Sequence, residues 1–459
     1  LMTAGAVGYM ASFVGNPFFI ALGGALFFFV NSEITLNLLN VIISRFLPVR
    51  RLPRLDLTKG ISDRQRTFVV IPSMLRSVEG VSDMVRKLEI RYLANPEDNI
   101  FYALLLDFKD SKKEFSELDT VLVETVEKQI EALNKKYGIR EKKFYFLYRK
   151  RVWNPSEGLF MGWERKRGKL REFNMLLSGK KGTTYVNESV FSHVPQIRYV
   201  ITLDEDTELP KESARKLIGC IDHPLNKPVL SGDRVERGYG IIQPSVSVRL
   251  ASATKSLFSR LYSSNSGIDS YSSAVSDVYQ DLFGNALFFG KGIYDVQVVE
   301  KTMEGKIPDN RVLSHDLLEG IYARTGFASD IVFFDGFPKF YHEFIIRLHR
   351  WIRGDWQIIG WLKSPYTPRG ASSATVGFSF VDRWKIADNL RRSLIPLIAL
   401  CLIVYADFAN IPSLVLNAYI IFALGSPFFV SLLNDVLSLK RVPTAIRFND
   451  TLWQIRSTC

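Results

Sequence analysis

The sequence predicts an α/β domain built on a mostly parallel sheet with flanking helices, with transmembrane helices at both ends. Three observations predict it. Residues 1–32 contain no charged side chain, and a second apolar region runs over residues 393–433. Between the two, short runs rich in β-branched and aromatic residues alternate with stretches of helical periodicity. Such alternation places helices on the faces of a parallel sheet. The 459 residues carry Lys+Arg 59 against Asp+Glu 47, a net +12, with 47% apolar and 23% charged residues. That balance excludes a disordered chain.

The first run exceeds the roughly 20 apolar residues needed to cross a hydrocarbon core. A signal peptide has a basic start and a shorter apolar region. Here Arg45, Arg50, Arg51 and Arg54 follow the run instead, which puts what comes after it on the cytosolic side. We therefore read 1–32 as a transmembrane helix and 33–66 as a cytosolic linker. Leu1 already lies in an apolar run, so the chain is expected to be part of a longer one.

Residues 67–385 read as one cytosolic domain. The runs 67–71 (TFVVI), 102–106 (YALLL), 143–148 (KFYFLY) and 199–203 (YVITL) predict buried strands. Leu118, Val121, Leu122, Thr125, Val126, Ile130 and Leu133 recur at helical spacing. The second apolar region is broken by Asp407 and Pro412, giving passes near 393–411 and 413–433 within a hairpin over 386–435. Arg383, Lys385, Arg391 and Arg392 precede it, and Lys440, Arg441 and Arg447 follow in a cytosolic tail, 436–459. Buried helices of a soluble protein share this composition, but the flanking basic clusters favour lipid. The net charge calls for no nucleic-acid partner, since part of it sits in these flanks, where an anionic leaflet attracts it. Cys220, Cys401 and Cys459 are too far apart for a disulfide framework, and the five histidines form no HExxH zinc motif.

In open α/β sheets ligands bind beyond the carboxyl ends of the strands, so polar residues after each run carry the information. The run at 199–203 leads into Asp204-Glu205-Asp206-Thr207. Side chains at i and i+2 of a strand share a face, so Asp204 and Asp206 can hold one cation unless the chain turns between them. Oxygen ligands suit Mg²⁺ or Mn²⁺, which neutralise a departing diphosphate; strand-end aspartates also serve as plain turn formers. Asp107 follows the second run, placed for a ligand or for an ordinary turn. In Ser314-His315-Asp316-Leu317-Leu318-Glu319, Asp316 is either a first-turn carboxylate behind an N-cap serine or a general base. Gly290 and Gly292 flank Lys291 in a turn that permits close backbone approach. The stretch from Arg347 to Gln357 holds His349, Arg350, Trp351 and Arg353, and reads as an interfacial helix or as a sugar platform beside phosphate-binding cations.

The order of these elements resembles the processive membrane glycosyltransferases, whose pattern is D, DxD, an acidic base and QxxRW; Arg347 stands where that pattern has Gln. A closer resemblance is carried by RKLEIRYLANPEDN (86–99), MGWERKRGKLREFN (161–174), YVITLDEDTELP (199–210), AVSDVYQDLFG (274–284), GKGIYDV (290–296), LSHDLLEG (313–320), HRWIRGDWQ (349–357) and DNLRRSL (388–394). These look like the synthase domain of cyclic β-1,2-glucan synthases, glycosyltransferase family 84. The resemblance implies a GT-A-like, Rossmann-type domain at the cytoplasmic (inner) membrane, transferring glucose from UDP-glucose to a growing β-glucan acceptor with inversion. It assigns the metal to Asp204 and Asp206, the uridine contact to Asp107 and the base to Asp316. Arg350 and Trp351 would line the diphosphate and acceptor site, with His349, Arg353, Gly290 and Gly292 beside them. It also implies a phosphorylase-like C-terminal domain, which 459 residues do not hold. A synthase of another linkage, cellulose- or hyaluronan-like, and a non-catalytic membrane scaffold or sugar-binding subunit are the competing readings.

Overall fold

The computed structural model describes residues 2–138, 141–191, 194–263, 277–312, 315–363, 377–409, 411–426 and 429. The expected tail over 436–459, the last part of the second hairpin pass, and Ser314 lie outside these residues.

Among the described residues seven strands form the central sheet. In spatial order they are Thr325–Asp335, Ile241–Val248, Gly292–Asp295, Tyr199–Thr202, Thr67–Leu75, Ile100–Phe108 and Phe144–Tyr148. The last four are mutually parallel, with Thr67 opposite both Tyr199 and Ile100, and Tyr102 opposite Phe144. Gly292–Asp295 is antiparallel to both its neighbours, while Thr325–Asp335 pairs parallel with Ile241–Val248. Every residue of Ile100–Phe108 is buried, as expected of a parallel strand covered by helices on both faces. The expected strands are present, each within a few residues of its expected limits.

The expected amphipathic helix spans Glu117–Tyr137. A capping box between Ser116 and Asp119 starts it, and Leu122, Val126, Ile130 and Leu133 face the core. On the opposite sheet face Phe68 packs with Phe101, Tyr145, Phe173 and Phe191.

Among the described residues two helices are long and apolar enough to cross a membrane, Pro17–Phe46 and Phe380–Phe408. The first corrects the expected span of 1–32. Helix Met2–Ala11 ends before a break, and Asn16 caps a new helix with Pro17 in its first turn. That helix runs through Glu33, whose carboxylate meets Arg391 at 2.8 Å. The Phe380–Phe408 helix begins before the expected pass, at a Ser379–Asp382 capping box, and is continuous across 385/386. Both pack with Ser413–Leu424 in a cluster that includes Phe27, Val30, Leu402 and Ile420, while Phe18, Phe28, Leu397 and Leu400 remain exposed.

The N-terminal part of the Phe380–Phe408 helix packs on the α/β domain as well. Ile386 and Leu390 pack with Leu318, Ile321 and Tyr322. Lys385 is buried, and its ammonium donates to the carbonyls of Asn285 at 2.9 Å and Ala286 at 3.0 Å.

Candidate active site

The Tyr199–Thr202 strand ends before the acidic motif. Residues 204–207 form a turn closed by Thr207 N–H donating to Asp204 O at 3.1 Å. Arg91 fixes this turn from the Val78–Ala94 helix by donating to the carbonyls of Glu205 at 2.9 Å and Thr207 at 2.7 Å. Because of the turn, the alternation argument for a shared face does not apply to Asp204 and Asp206. Lys166 Nζ donates to Asp204 Oδ1 at 2.7 Å, and Lys291 Nζ lies 3.0 Å from Oδ2. Burial alone would raise the Asp204 pKa, but the two ammonium groups outweigh it and hold the carboxyl far below its ordinary value. Asp206 is 42% exposed, with Arg347 at 3.8 Å.

Three more elements converge here. Lys166, in the first turn of Arg165–Leu177, also donates to Gly290 O at 2.9 Å. Gly290 has φ +74°, and a Cβ there would sit 2.8 Å from both carboxylate oxygens of Asp316. This is the close backbone approach that glycine permits. Gly292 packs against the neighbouring strand, since a Cβ there would lie 2.3 Å from Ile242 O.

Asp316 opens the Asp316–Ala323 helix. His315 Nδ1 lies 3.0 Å from its Oδ1 and 3.9 Å from Glu319 Oε1. Burial pushes Asp316 up, but the His315 hydrogen bond and charge, then Lys166, outweigh it and hold the carboxyl below its ordinary value. Burial raises Glu319. For His315 burial acts downward, and the Glu319 and Asp316 carboxylates outweigh it, so the imidazole sits above its ordinary value. These three side chains offer ligand atoms within 4.8 Å of one another. Lys166 faces both carboxylates, so positive charge is already present beside them. A cavity of about 130 Å³ opens behind Lys166, bordered by Thr202, Phe288, Gly290, Asp316 and Glu319.

Asp107 stands apart from this group, and its expected uridine contact meets an obstacle. Its carboxylate is 5% exposed and receives Arg149 Nε at 2.7 Å and Nη2 at 2.9 Å, with Lys169 Nζ at 3.2 Å. Its local role is to anchor Arg149, which also donates to Glu172 and to the carbonyls of Trp163 and Arg165.

The 347–357 motif lies on the Tyr341–Gln357 helix. Arg347, the departure from the processive pattern, reaches toward Asp206 and stacks over Trp351 at 5.6 Å. His349, Arg350, Trp351 and Arg353 are exposed, and among the described residues no carboxylate pairs with Arg350 or Arg353. Trp356 Nε1 donates to Ser393 Oγ at 3.0 Å and Asn389 to Asp355 at 3.0 Å, which ties this helix to Phe380–Phe408. Lys166, Lys291 and Arg149 were not expected at the site. Their positions sit in quoted or adjoining blocks, but no local spacing announces that they converge on Asp204 and Asp107.

No protein-family model matches the chain. Among curated proteins it is 39% identical, over 413 residues, to the cyclic β-(1,2)-glucan synthase NdvB of Rhizobium meliloti (strain 1021). The chain is related to one segment of that cyclic β-(1,2)-glucan synthase. The match takes in 88% of this chain and 14% of NdvB. A match over 88% of the chain is long enough to take in Asp204, Gly290 and Asp316. Among solved structures, the galactosyltransferase LgtC in complex with donor and acceptor sugar analogues aligns at 12% identity over 57% of this chain and 72% of its own, with a TM-score of 0.24. An active-site mutant of LgtC aligns over the same shares with a TM-score of 0.23. Likeness this distant says nothing about the site.

Proposed function

We propose that this chain is an elongating glycosyltransferase module of a membrane glucan synthase, which transfers glucose from UDP-glucose to a growing β-1,2-glucan with inversion. One observation carries the reading: Asp204, Lys166, Gly290 and Asp316 meet at the carboxyl edge of the sheet, in a chain 39% identical to a segment of a cyclic β-(1,2)-glucan synthase.

Asp316 is the base. It takes the proton of an acceptor hydroxyl, whose oxygen attacks the anomeric carbon from one face. The bond to the nucleoside diphosphate breaks on the other face, and its electron pair leaves with the phosphate. Lys166 and Arg347 supply positive charge on the leaving side; such preorganised charge is usually a large catalytic term. Asp204 keeps Lys166 in place.

Mg²⁺ is usually held by one or two carboxylates together with substrate phosphates. The exposed carboxylate of Asp206 fits that pattern for Mg²⁺ or Mn²⁺, whereas both Asp204 oxygens are engaged by lysines. Such an ion, when bound, neutralises diphosphate charge. Arg350, Trp351, His349 and Arg353 form an exposed face for the acceptor or for the membrane surface. The two long apolar helices support a multi-pass place in the cytoplasmic membrane, with the catalytic domain on the cytosolic side and the bilayer as a partner.

The test is incubation of membranes holding the chain with labelled UDP-glucose, with and without chelator, followed by linkage analysis. A 1,2-linked product that disappears on chelation is expected. A 1,3- or 1,4-linked product would reject the linkage. Absence of any incorporation by membranes that hold the folded chain would reject the activity.

A further inference from the structure

The two ammonium groups on Asp204 differ in their freedom. Lys291 is 5% exposed and is clamped between Asp204 and Asp335. It locks the acidic turn to the Thr325–Asp335 strand. Lys166 is 31% exposed. An ammonium has three N–H donors; two of Lys166's go to Asp204 Oδ1 and Gly290 O. Its third is left for the space bordered by Asp316 and Glu319.

The backbone that delivers Lys166 is unusual. Glu164 and Arg165 are consecutive non-glycine residues in the left-handed region, with φ 50° and 48°. Such conformations persist where surrounding contacts over-determine them, and they gather at functional sites. The contacts are present. Arg149 donates to Trp163 O at 2.8 Å and to Arg165 O at 3.1 Å. The Glu164 carboxylate accepts from the Asn310 backbone N–H and pairs with Arg167. Gly168 admits the turn because a Cβ there would lie 1.9 Å from Trp163 O. A buried ion-pair network therefore fixes a strained turn whose next residue reaches across the cleft edge.

We propose that Lys166 is a catalytic residue whose ammonium passes from Asp204 and the Gly290 carbonyl to a β-phosphate oxygen of the departing nucleoside diphosphate. This rests on the glycosyltransferase reading and adds to it the residue that meets the leaving group. As the bond between the anomeric carbon and the phosphate oxygen breaks, the electron pair stays on that oxygen. Lys166 donates a hydrogen bond to it and keeps its own proton. The proton from the acceptor hydroxyl goes to Asp316. The 2.7 Å bond to Asp204 holds Lys166 in its resting position, from which the one cation serves the leaving side.

The test is calorimetric binding of UDP and of UMP to the full chain, purified in detergent with its membrane helices. The two probes differ in the β-phosphate alone. The wild type is expected to prefer UDP. Lys166→Met should lose about tenfold in UDP affinity, the size of a charge-assisted hydrogen bond, with UMP affinity within about twofold of wild type. Lys166→Arg should keep most of the preference. If Lys166→Met loses its cooperative melting, Lys166→Gln, which keeps a donor for Asp204 without the charge, reads the same quantity. A neutral variant that retains the full UDP-over-UMP preference overturns the role of Lys166 alone. A folded wild type that binds neither nucleotide overturns the glycosyltransferase reading, and this role with it.

Discussion

Arg149→Met removes the centre of the buried network beneath the site. Arg149 has no exposed side-chain surface, and its donors are spent on Asp107, on Glu172 and on the carbonyls of Trp163 and Arg165. Methionine fills much of the volume and supplies none of these bonds. Asp107 keeps Lys169 at 3.2 Å, and Glu172 keeps Thr184, whose hydroxyl donates at 2.7 Å. Breaking a buried pair by removing one partner costs about 3–5 kcal/mol, and that loss is expected at neutral pH. The pH dependence gives a second reading. In the wild type, burial raises Asp107 but Lys169 and Arg149 outweigh it and hold its pKa below the ordinary value. Its stabilisation is therefore present above the unfolded carboxyl value, about 3.9, and is lost as pH falls through the lower folded value. Without Arg149 the balance swings toward burial, and the stranded carboxylate gains by taking up a proton. The gap between variant and wild type should then narrow on going from neutral pH toward pH about 5. Adding Asp107→Asn should recover part of the loss at neutral pH. Urea titration in detergent, followed by tryptophan fluorescence, measures each quantity, and Trp163 lies at the network. A loss below about 1 kcal/mol, the range of an exposed pair, with no narrowing on acidification, would refute the reasoning.

Three further outcomes follow from the site. Asp316→Asn should lower turnover by about 10²–10⁴-fold, with UDP binding close to wild type; near-normal turnover would remove it as the base. Gly290→Ala places a methyl group where Asp316 sits and forces a side chain into positive φ, which costs roughly 1–2 kcal/mol. A folded variant is expected to lose more than about tenfold in rate, and an unaltered rate would contradict the close approach. In His315→Gln, Asp316 loses the charge and hydrogen bond that oppose burial, while Lys166, Glu319 and Arg167 still face the pair. Since the base acts when deprotonated, the acid limb of the pH–rate profile should move to higher pH. An unmoved limb would show that His315 has no such hold on Asp316.

The parallel strands were legible because burial on both faces writes itself as an unbroken apolar run; Tyr102 to Leu106 is the plainest case. The Glu117–Tyr137 helix was legible from its spacing. The end of the first long helix was not, because Glu33 is neutralised by Arg391 from a distant segment. No local window contains that partner. The turn at Asp204 was one of two readings the sequence left open, and no local window decided it, since its carbonyls are held by Arg91 from another helix. Among the site residues, Asp316 could be named from its place at a helix start. Lys166 could not, because its role depends on a strained backbone and on Arg149 behind it. Asp107 was noticed for a carboxylate at a strand end, a rule that says nothing about which cations will surround it.

Lys385 bonds to the carbonyls of Asn285 and Ala286 only a few residues before Gly290, and it sits on the helix that runs on through the apolar residues to Phe408. A truncation before that helix would strand two buried acceptors and strip Ile386 and Leu390 from the packing around Tyr322. A free-standing soluble fragment cut at 379 should consequently be a poor surrogate for the whole chain. Biochemistry on this protein belongs in micelles or nanodiscs, because part of the scaffolding of its cleft comes from a helix long and apolar enough to cross a membrane.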